Sequence, residues 1–129
     1  VTNPEVSGVR DSDRILGILS SKTRKAEQGE GDIPARLLLT RYSPQRVESG
    51  QMLSVEDVTE ILAIDLLGVI PESQAVLNAS NGGTPVILDA ESDAGQAYED
   101  AVARFLGEER EHRFLTSTKK SLFGRLFGG

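Results

Sequence analysis

Two short apolar runs, each followed by helix-forming sequence, constrain the fold more than any other feature. Arg36-Leu37-Leu38-Leu39-Thr40-Arg41-Tyr42 is a continuous apolar run, as a buried parallel strand requires, and Ser43-Pro44 breaks it. Ser54 with Asp57 makes a capping-box-like start for a helix through Val58, Ile61 and Leu62. Leu66 to Ile70 is the next strand, cut by Pro71. Strand alternating with helix predicts a parallel α/β sheet with right-handed crossovers. Only two or three strands are convincing, whereas doubly wound sheets usually carry more. The expectation is therefore the C-terminal portion of a larger domain, with a compact complete protein as the alternative.

The remaining elements follow from caps and breakers. Val1-Thr2 reads as the end of a strand. Asn3-Pro4-Glu5 supplies an N-cap, a first-position proline and an acid for a helix from Pro4 to about Gln28, stopped by Gly29. Val9, Ile15, Leu16 and Leu19 form its apolar side; Ser7, Arg10, Asp11 and Arg14 form its polar side. Gly8 interrupts it at a cost of about 1 kcal/mol relative to alanine. A helix is expected from about Glu72 to Ser80, ended by Asn81-Gly82-Gly83, and Pro85 to Leu88 is expected to be extended. Ser92 caps a strong helix whose Ala94, Ala97, Tyr98, Ala101, Val102, Phe105 and Leu106 should face inward. The division predicted is a body over 1–107, a charged linker over 108–118 and a tail over 119–129.

The tail packs Leu122, Phe123, Leu126 and Phe127 with Lys119, Lys120 and Arg125 into a segment too short to span a bilayer. In a helix the four apolar residues share an arc of about 140°, with Arg125 and Ser121 opposite. That is the pattern of a helix lying in a membrane interface, its lysines able to snorkel; the alternative is a helix docked on its own domain. Charge agrees with the first reading. The net charge is −6, yet residues 113–129 hold four cations and no acid, while the rest holds 10 basic and 20 acidic groups. An acidic body argues against broad contact with nucleic acid, and a basic tip suits anionic lipid. The chain has no cysteine, so disulfides and thiolate metal sites are excluded. His112, the only histidine, has no second soft ligand nearby and reads as a solvated linker residue.

Several stretches together resemble the C-terminal half of the septum-site-determining ATPases of the ParA/MinD group, the deviant Walker family. They are Val1-Thr2-Asn3-Pro4-Glu5-Val6-Ser7, the run from Val9 to Leu19, Leu37 to Tyr42, Gly68 to Glu72, Ala79-Ser80-Asn81, Pro85 to Asp89, Leu106 to Arg110, and the terminal Arg125-Leu126-Phe127-Gly128-Gly129. The resemblance implies part of a doubly wound, P-loop NTPase-like domain with an amphipathic membrane-targeting helix. It implies a cell-division role: an ATP-dependent homodimer, peripheral on the cytoplasmic face of the bacterial inner membrane, recruiting the division inhibitor MinC and released by MinE. It also implies that Thr40, Arg41, Tyr42, Pro71 and Glu72 face the adenine of ATP. Strand-end position alone leaves ordinary polarity and a helix-starting Pro-Glu as the alternative.

By the same resemblance Glu5 and Asp11 face the dimer partner's nucleotide site, and Ser7, Arg10, Asp13 and Asn81 form the surface shared by MinC and MinE. Without it, Glu5 and Asp11 read as acids opposing a helix dipole, and Arg10 with Asp13 as a solvated pair. One departure is large. No G-x-x-x-x-G-K-[ST] phosphate loop occurs in the sequence, so the Mg²⁺ ligands and phosphate cradle are expected in an absent N-terminal half, and this chain alone is expected not to hydrolyse ATP. A membrane-binding interaction module without nucleotide chemistry is the competing reading. A DNA-partitioning ATPase fits poorly with the acidic body and basic tail.

Overall fold

The computed structural model describes residues 1–22, 28–29 and 34–116. In chain order its elements are α1 (Val6–Lys22), β1 (Arg36–Tyr42), α2 (Pro44–Glu48), α3 (Val55–Leu62), β2 (Asp65–Pro71), α4 (Gln74–Gly82), a 3-10 turn (Val86–Leu88) and α5 (Asp93–Phe105). The membrane-tail residues Lys119, Lys120, Leu122, Phe123, Arg125, Leu126 and Phe127 lie outside the described residues.

β1 and β2 pair in parallel, Leu37 opposite Leu66 and Leu39 opposite Val69. Thr2 adds a parallel bridge to Leu39 on the other side of β1: its N–H donates to the Leu38 carbonyl (3.1 Å) and its carbonyl accepts from the Thr40 N–H (2.9 Å). Where the sequence suggests the end of a strand, Thr2 thus adds one isolated bridge to the edge of β1. Alternation along β1 sends neighbouring leucines to different layers. Leu37, Leu39 and Val69 join a core with Val9, Val55, Val58 and Leu62 of the helices α1 and α3. Leu38 and Ile70 pack instead with Ala94 and Ala97 of α5.

Several local devices act as the sequence predicts. Ser54 Oγ accepts from the Asp57 N–H (3.1 Å) while Asp57 accepts from the Ser54 N–H (3.3 Å), a complete capping box. Ser92 Oγ accepts from the Gly95 N–H at 3.0 Å, and Gly83, in the left-handed region (φ 69°), ends α4. Gly8 gains a reason: a Cβ there would collide with the Asn3 side chain, so the glycine leaves room for the turn that feeds α1. Gly68 does similar work, because a Cβ there would lie 2.9 Å from Ala101 Cβ. The small pair lets α5 approach β2.

Four expectations are corrected. The first helix starts at Val6 rather than Pro4, with Glu5 supplying the carbonyl that accepts from the Val9 N–H; residues 23–27, within its expected end, lie outside the described residues. Ser43-Pro44 does not only break the strand: Ser43 caps a short helix with proline in its first turn. Pro85 to Leu88 is not extended. It closes a 3-10 turn through Leu88 N–H to Pro85 O (3.1 Å) and Asp89 N–H to Val86 O (2.9 Å), which satisfies a backbone that has no strand beside it. Val102, Phe105 and Leu106 point outward, 47%, 69% and 74% exposed, because the alanine stripe of α5 faces the sheet instead.

Candidate functional site

Beyond the carboxyl ends of β1 and β2 the chain leaves a cleft of about 500 Å³. Ile70, Pro71, Val76 and Tyr98 give it apolar walls, while Thr40, Arg41 and Glu72 bring polar groups to it. Four of the five residues expected at an adenine, Thr40, Arg41, Pro71 and Glu72, line it together. Tyr42 does not. It is buried and lines a smaller neighbouring cleft of about 250 Å³ with Pro71 and Glu72. Burial pushes its phenol up, helped by the nearby carboxylates of Glu56 and Glu48. Its backbone still shapes the site, because the Glu72 N–H donates to the Tyr42 carbonyl at 2.8 Å.

Backbone geometry at this strand end is unusual. Arg41 has φ 58°, the left-handed region that non-glycine residues enter rarely. The ladder register shifts between Leu39 and Tyr42 as β1 passes it. The effect is to turn the Arg41 side chain toward Glu72, Nη2 to Oε1 3.9 Å. Both side chains are substantially exposed, 68% and 45%, so the pair adds little to stability. Its chemical value is as adjustable donors and acceptors at the edge of a partly apolar cleft. A phosphate chain is not matched: the sequence has no Gly-rich strand-to-helix loop of backbone N–H groups.

The other expected site residues are dispersed. Ser7, Arg10, Asp11 and Asp13 are on α1, all but Ser7 beyond its first turn, with Ser7, Arg10, Asp11 and Asp13 exposed. Glu5, just ahead of that helix, pairs with Arg46 of α2 (3.8 Å). No ion pair joins Arg10 to Asp13 among the described residues. Asn81 is exposed near the end of α4.

A polar cluster that the sequence reading missed joins α5 to the segment that follows it. Asp100 is only 4% exposed on α5. Arg113 Nε donates to its Oδ2 at 2.8 Å and Arg113 Nη2 to its Oδ1 at 3.0 Å, while Arg110 Nη1 donates to Oδ1 at 3.1 Å. Burial pushes the Asp100 carboxyl up, but the hydrogen bonds from Arg113 and Arg110 outweigh it and hold it below the usual carboxylate range. Arg104 donates to the carbonyls of Leu67 (3.0 Å), Arg110 (3.0 Å) and Glu111 (2.7 Å). His112 is held within this cluster. Its Nδ1 is buried without a partner, and burial, with Arg104 close by, pushes its imidazole down. It is therefore not the solvated residue the sequence suggests. Arg110 and Arg113, three apart, were the available signal, since two cations beside a buried carboxylate make a clamp. Among the described residues no group of three His, Asp or Glu side chains is placed to hold a metal ion, and no helix is long and apolar enough to cross a membrane.

No protein-family model matches the chain. The septum site-determining protein MinD of Escherichia coli (strain K12) is 66% identical over 128 residues, 99% of this chain and 47% of that protein. The chain is homologous to MinD along its full length. It spans about half the length of the curated relatives it matches. The fold agrees. The MinC:MinD cell division protein complex of Aquifex aeolicus superposes with TM-score 0.75 at 34% identity, over 90% of this chain and 44% of that chain. MinD of Pyrococcus horikoshii, solved with Mg-ADP, gives TM-score 0.63 at 25% identity, over 83% of this chain and 41% of that one. The α/β arrangement with two parallel strands thus matches part of the MinD fold.

Proposed function

We propose that this chain is the base-side, partner-binding and membrane-targeting half of a MinD-type nucleotide switch that positions the division septum. The observation that carries the reading is the strand-end cleft of Arg41, Pro71 and Glu72 in a chain 66% identical to a septum-positioning protein. In this reading the two strands belong to a larger doubly wound sheet, and the phosphate loop with its Mg²⁺ ligands comes from the other half. Thr40, Arg41, Pro71 and Glu72 orient the adenine of ATP, and Tyr42 fixes the loop behind them. Bound ATP draws two copies together, with Glu5 and Asp11 toward the partner copy's nucleotide. Two tails then engage the inner membrane where one binds only weakly, because the second attachment is intramolecular.

Exposed Ser7, Arg10 and Asp13 on α1, with Asn81 on α4, supply the surface that MinC and MinE share. A homologue forms a complex with MinC, which supports a partner surface of this kind. Charge reversal separates partner binding from lipid binding. In the full-length protein, Arg10→Glu and Asp13→Lys are expected to weaken MinC and MinE binding while ATP-dependent sedimentation with anionic vesicles persists. Titration of both partners onto vesicle-bound protein measures this. Unchanged affinity for both partners contradicts the assignment of that surface.

A further inference from the structure

The segment after Gly107 reads as a charged linker, yet it is tied down along its described length. The Asp100 clamp holds Arg110 and Arg113, and Arg104 bridges the carbonyls of Arg110 and Glu111 to that of Leu67 in β2. The segment therefore runs beside β2. Past the clamp it crosses the carboxyl end of the sheet: Phe114 packs with Ile70 and Ala97 on one face, and Leu115 packs on the core of the other. Phe114 is a bulky residue with φ 63°, a conformation that such side chains adopt only when surrounding contacts impose it. The Arg113 guanidinium sits 5.5 Å over its ring. Phe114 and Thr116 then line a cleft with Tyr42, Pro71 and Glu72. Pro71 and Glu72 also line the larger cleft.

We propose that Phe114 and Thr116, held in place by Arg113 and Leu115, form a wall of the strand-end site, so that a bound nucleotide base and the root of the C-terminal tail share Pro71 and Glu72. The inference rests on the cleft holding a nucleotide, as proposed above. It makes Phe114 a positioning residue and Asp100 the anchor that keeps it in place. It also gives nucleotide occupancy a direct path to the tail, separate from dimerisation. Coupling of this kind is reciprocal: what the nucleotide does to the wall, the wall does to nucleotide affinity.

Hydrogen exchange and Mg-ADP titration on the full-length protein test it. Mg-ADP is expected to slow exchange of the amides of residues 113–116. Phe114→Ala is expected to weaken Mg-ADP binding about 5–20-fold, and Phe114→Tyr to restore it. The double variant Arg110→Lys/Arg113→Lys keeps two cations beside the buried Asp100 carboxylate but loses the forked guanidinium geometry that ties the segment down, so it keeps the test open if Phe114→Ala misfolds. It is expected to speed exchange over residues 108–116 and to weaken Mg-ADP binding by a similar factor. Faster exchange in that variant with unchanged Mg-ADP affinity overturns the proposal, as does no protection of residues 113–116 by Mg-ADP. The charge reversals Arg41→Glu and Glu72→Arg distinguish the two levels. If they leave Mg-ADP affinity unchanged, the cleft reading itself fails and the wall with it. If they weaken binding while the connector variants do not, only the wall fails.

Discussion

Leu126→Glu or Phe127→Glu in the full-length protein is expected to abolish ATP-dependent sedimentation with anionic vesicles. Burying a leucine or phenylalanine is worth roughly 1.5–3 kcal/mol, so four offer on the order of 6–12 kcal/mol. Ordering the backbone costs about 1–2 kcal/mol per residue, which consumes most of that gain over nine residues. Each cation near an anionic leaflet returns about 1 kcal/mol. A carboxylate on the apolar arc both removes one anchor and adds a penalty of up to about 3 kcal/mol. Doubling the tails multiplies a small affinity and cannot rescue one that has vanished. Salt is expected to weaken wild-type binding by screening Lys119, Lys120 and Arg125. Retained sedimentation by both variants contradicts an interfacial helix.

Two helical glycines, Gly17 in the interior of α1 and Gly95 in the first turn of α5, are expected to respond to alanine with opposite signs. Gly17 in α1 is exposed, and nothing lies within 4 Å of the position a Cβ would take. Gly17→Ala is expected to stabilise by about 0.5–1 kcal/mol, the helix-propensity difference. Gly95, in the first turn of α5, has no room for a side chain. A Cβ there would overlap the carbonyl oxygens of Asp89 and Val86, which are backbone atoms fixed by the 3-10 turn and the Ser92 cap. Gly95→Ala is expected to destabilise by about 1–3 kcal/mol, the usual cost of forcing atoms into a packed site. Urea denaturation of both variants reads the difference. Two shifts in the same direction contradict the close crossing of turn and helix.

The contrast shows what kind of information the sequence exposes. Gly17 and Gly95 look alike in the chain; only a neighbour distant in sequence separates them. The strands were legible because Leu37-Leu38-Leu39 and Val69-Ile70 are buried on both faces and end at Pro44 and Pro71. The capping box was legible because Ser54 and Asp57 satisfy each other locally. Pro85 to Leu88 was misread because a short apolar run suits a strand and a tight turn equally, and the absence of a pairing partner is a tertiary fact. Val102, Phe105 and Leu106 were misread because α5 has two candidate faces, and alanines pack closer to Gly68 than larger side chains can.

The candidate site divides the same way. Thr40, Arg41, Pro71 and Glu72 lie at the strand ends where a topological rule looks for ligands, but their assignment to an adenine rests on the resemblance. The left-handed turn at Arg41, which brings its guanidinium to Glu72, has no sequence signal because arginine rarely adopts it. Arg110 and Arg113 were the only hint of the Asp100 clamp, and within residues 108–118 read as a solvated linker they give no sign of folding back on a carboxylate. Conversely, the partner surface on α1 rests on resemblance: Arg10 and Asp13 are exposed and unpaired with each other, as many surface residues are.

Photolabelling tests the central claim, that the strand-end cleft holds the base of the nucleotide, most directly. Full-length protein is irradiated with an adenine-azido analogue of ATP in the presence of Mg²⁺, and the labelled peptides are sequenced. The account predicts label on Thr40 to Tyr42 and on Ile70 to Glu72, competed away by unmodified ATP. Competable label found only outside the residues that line the two strand-end clefts contradicts it.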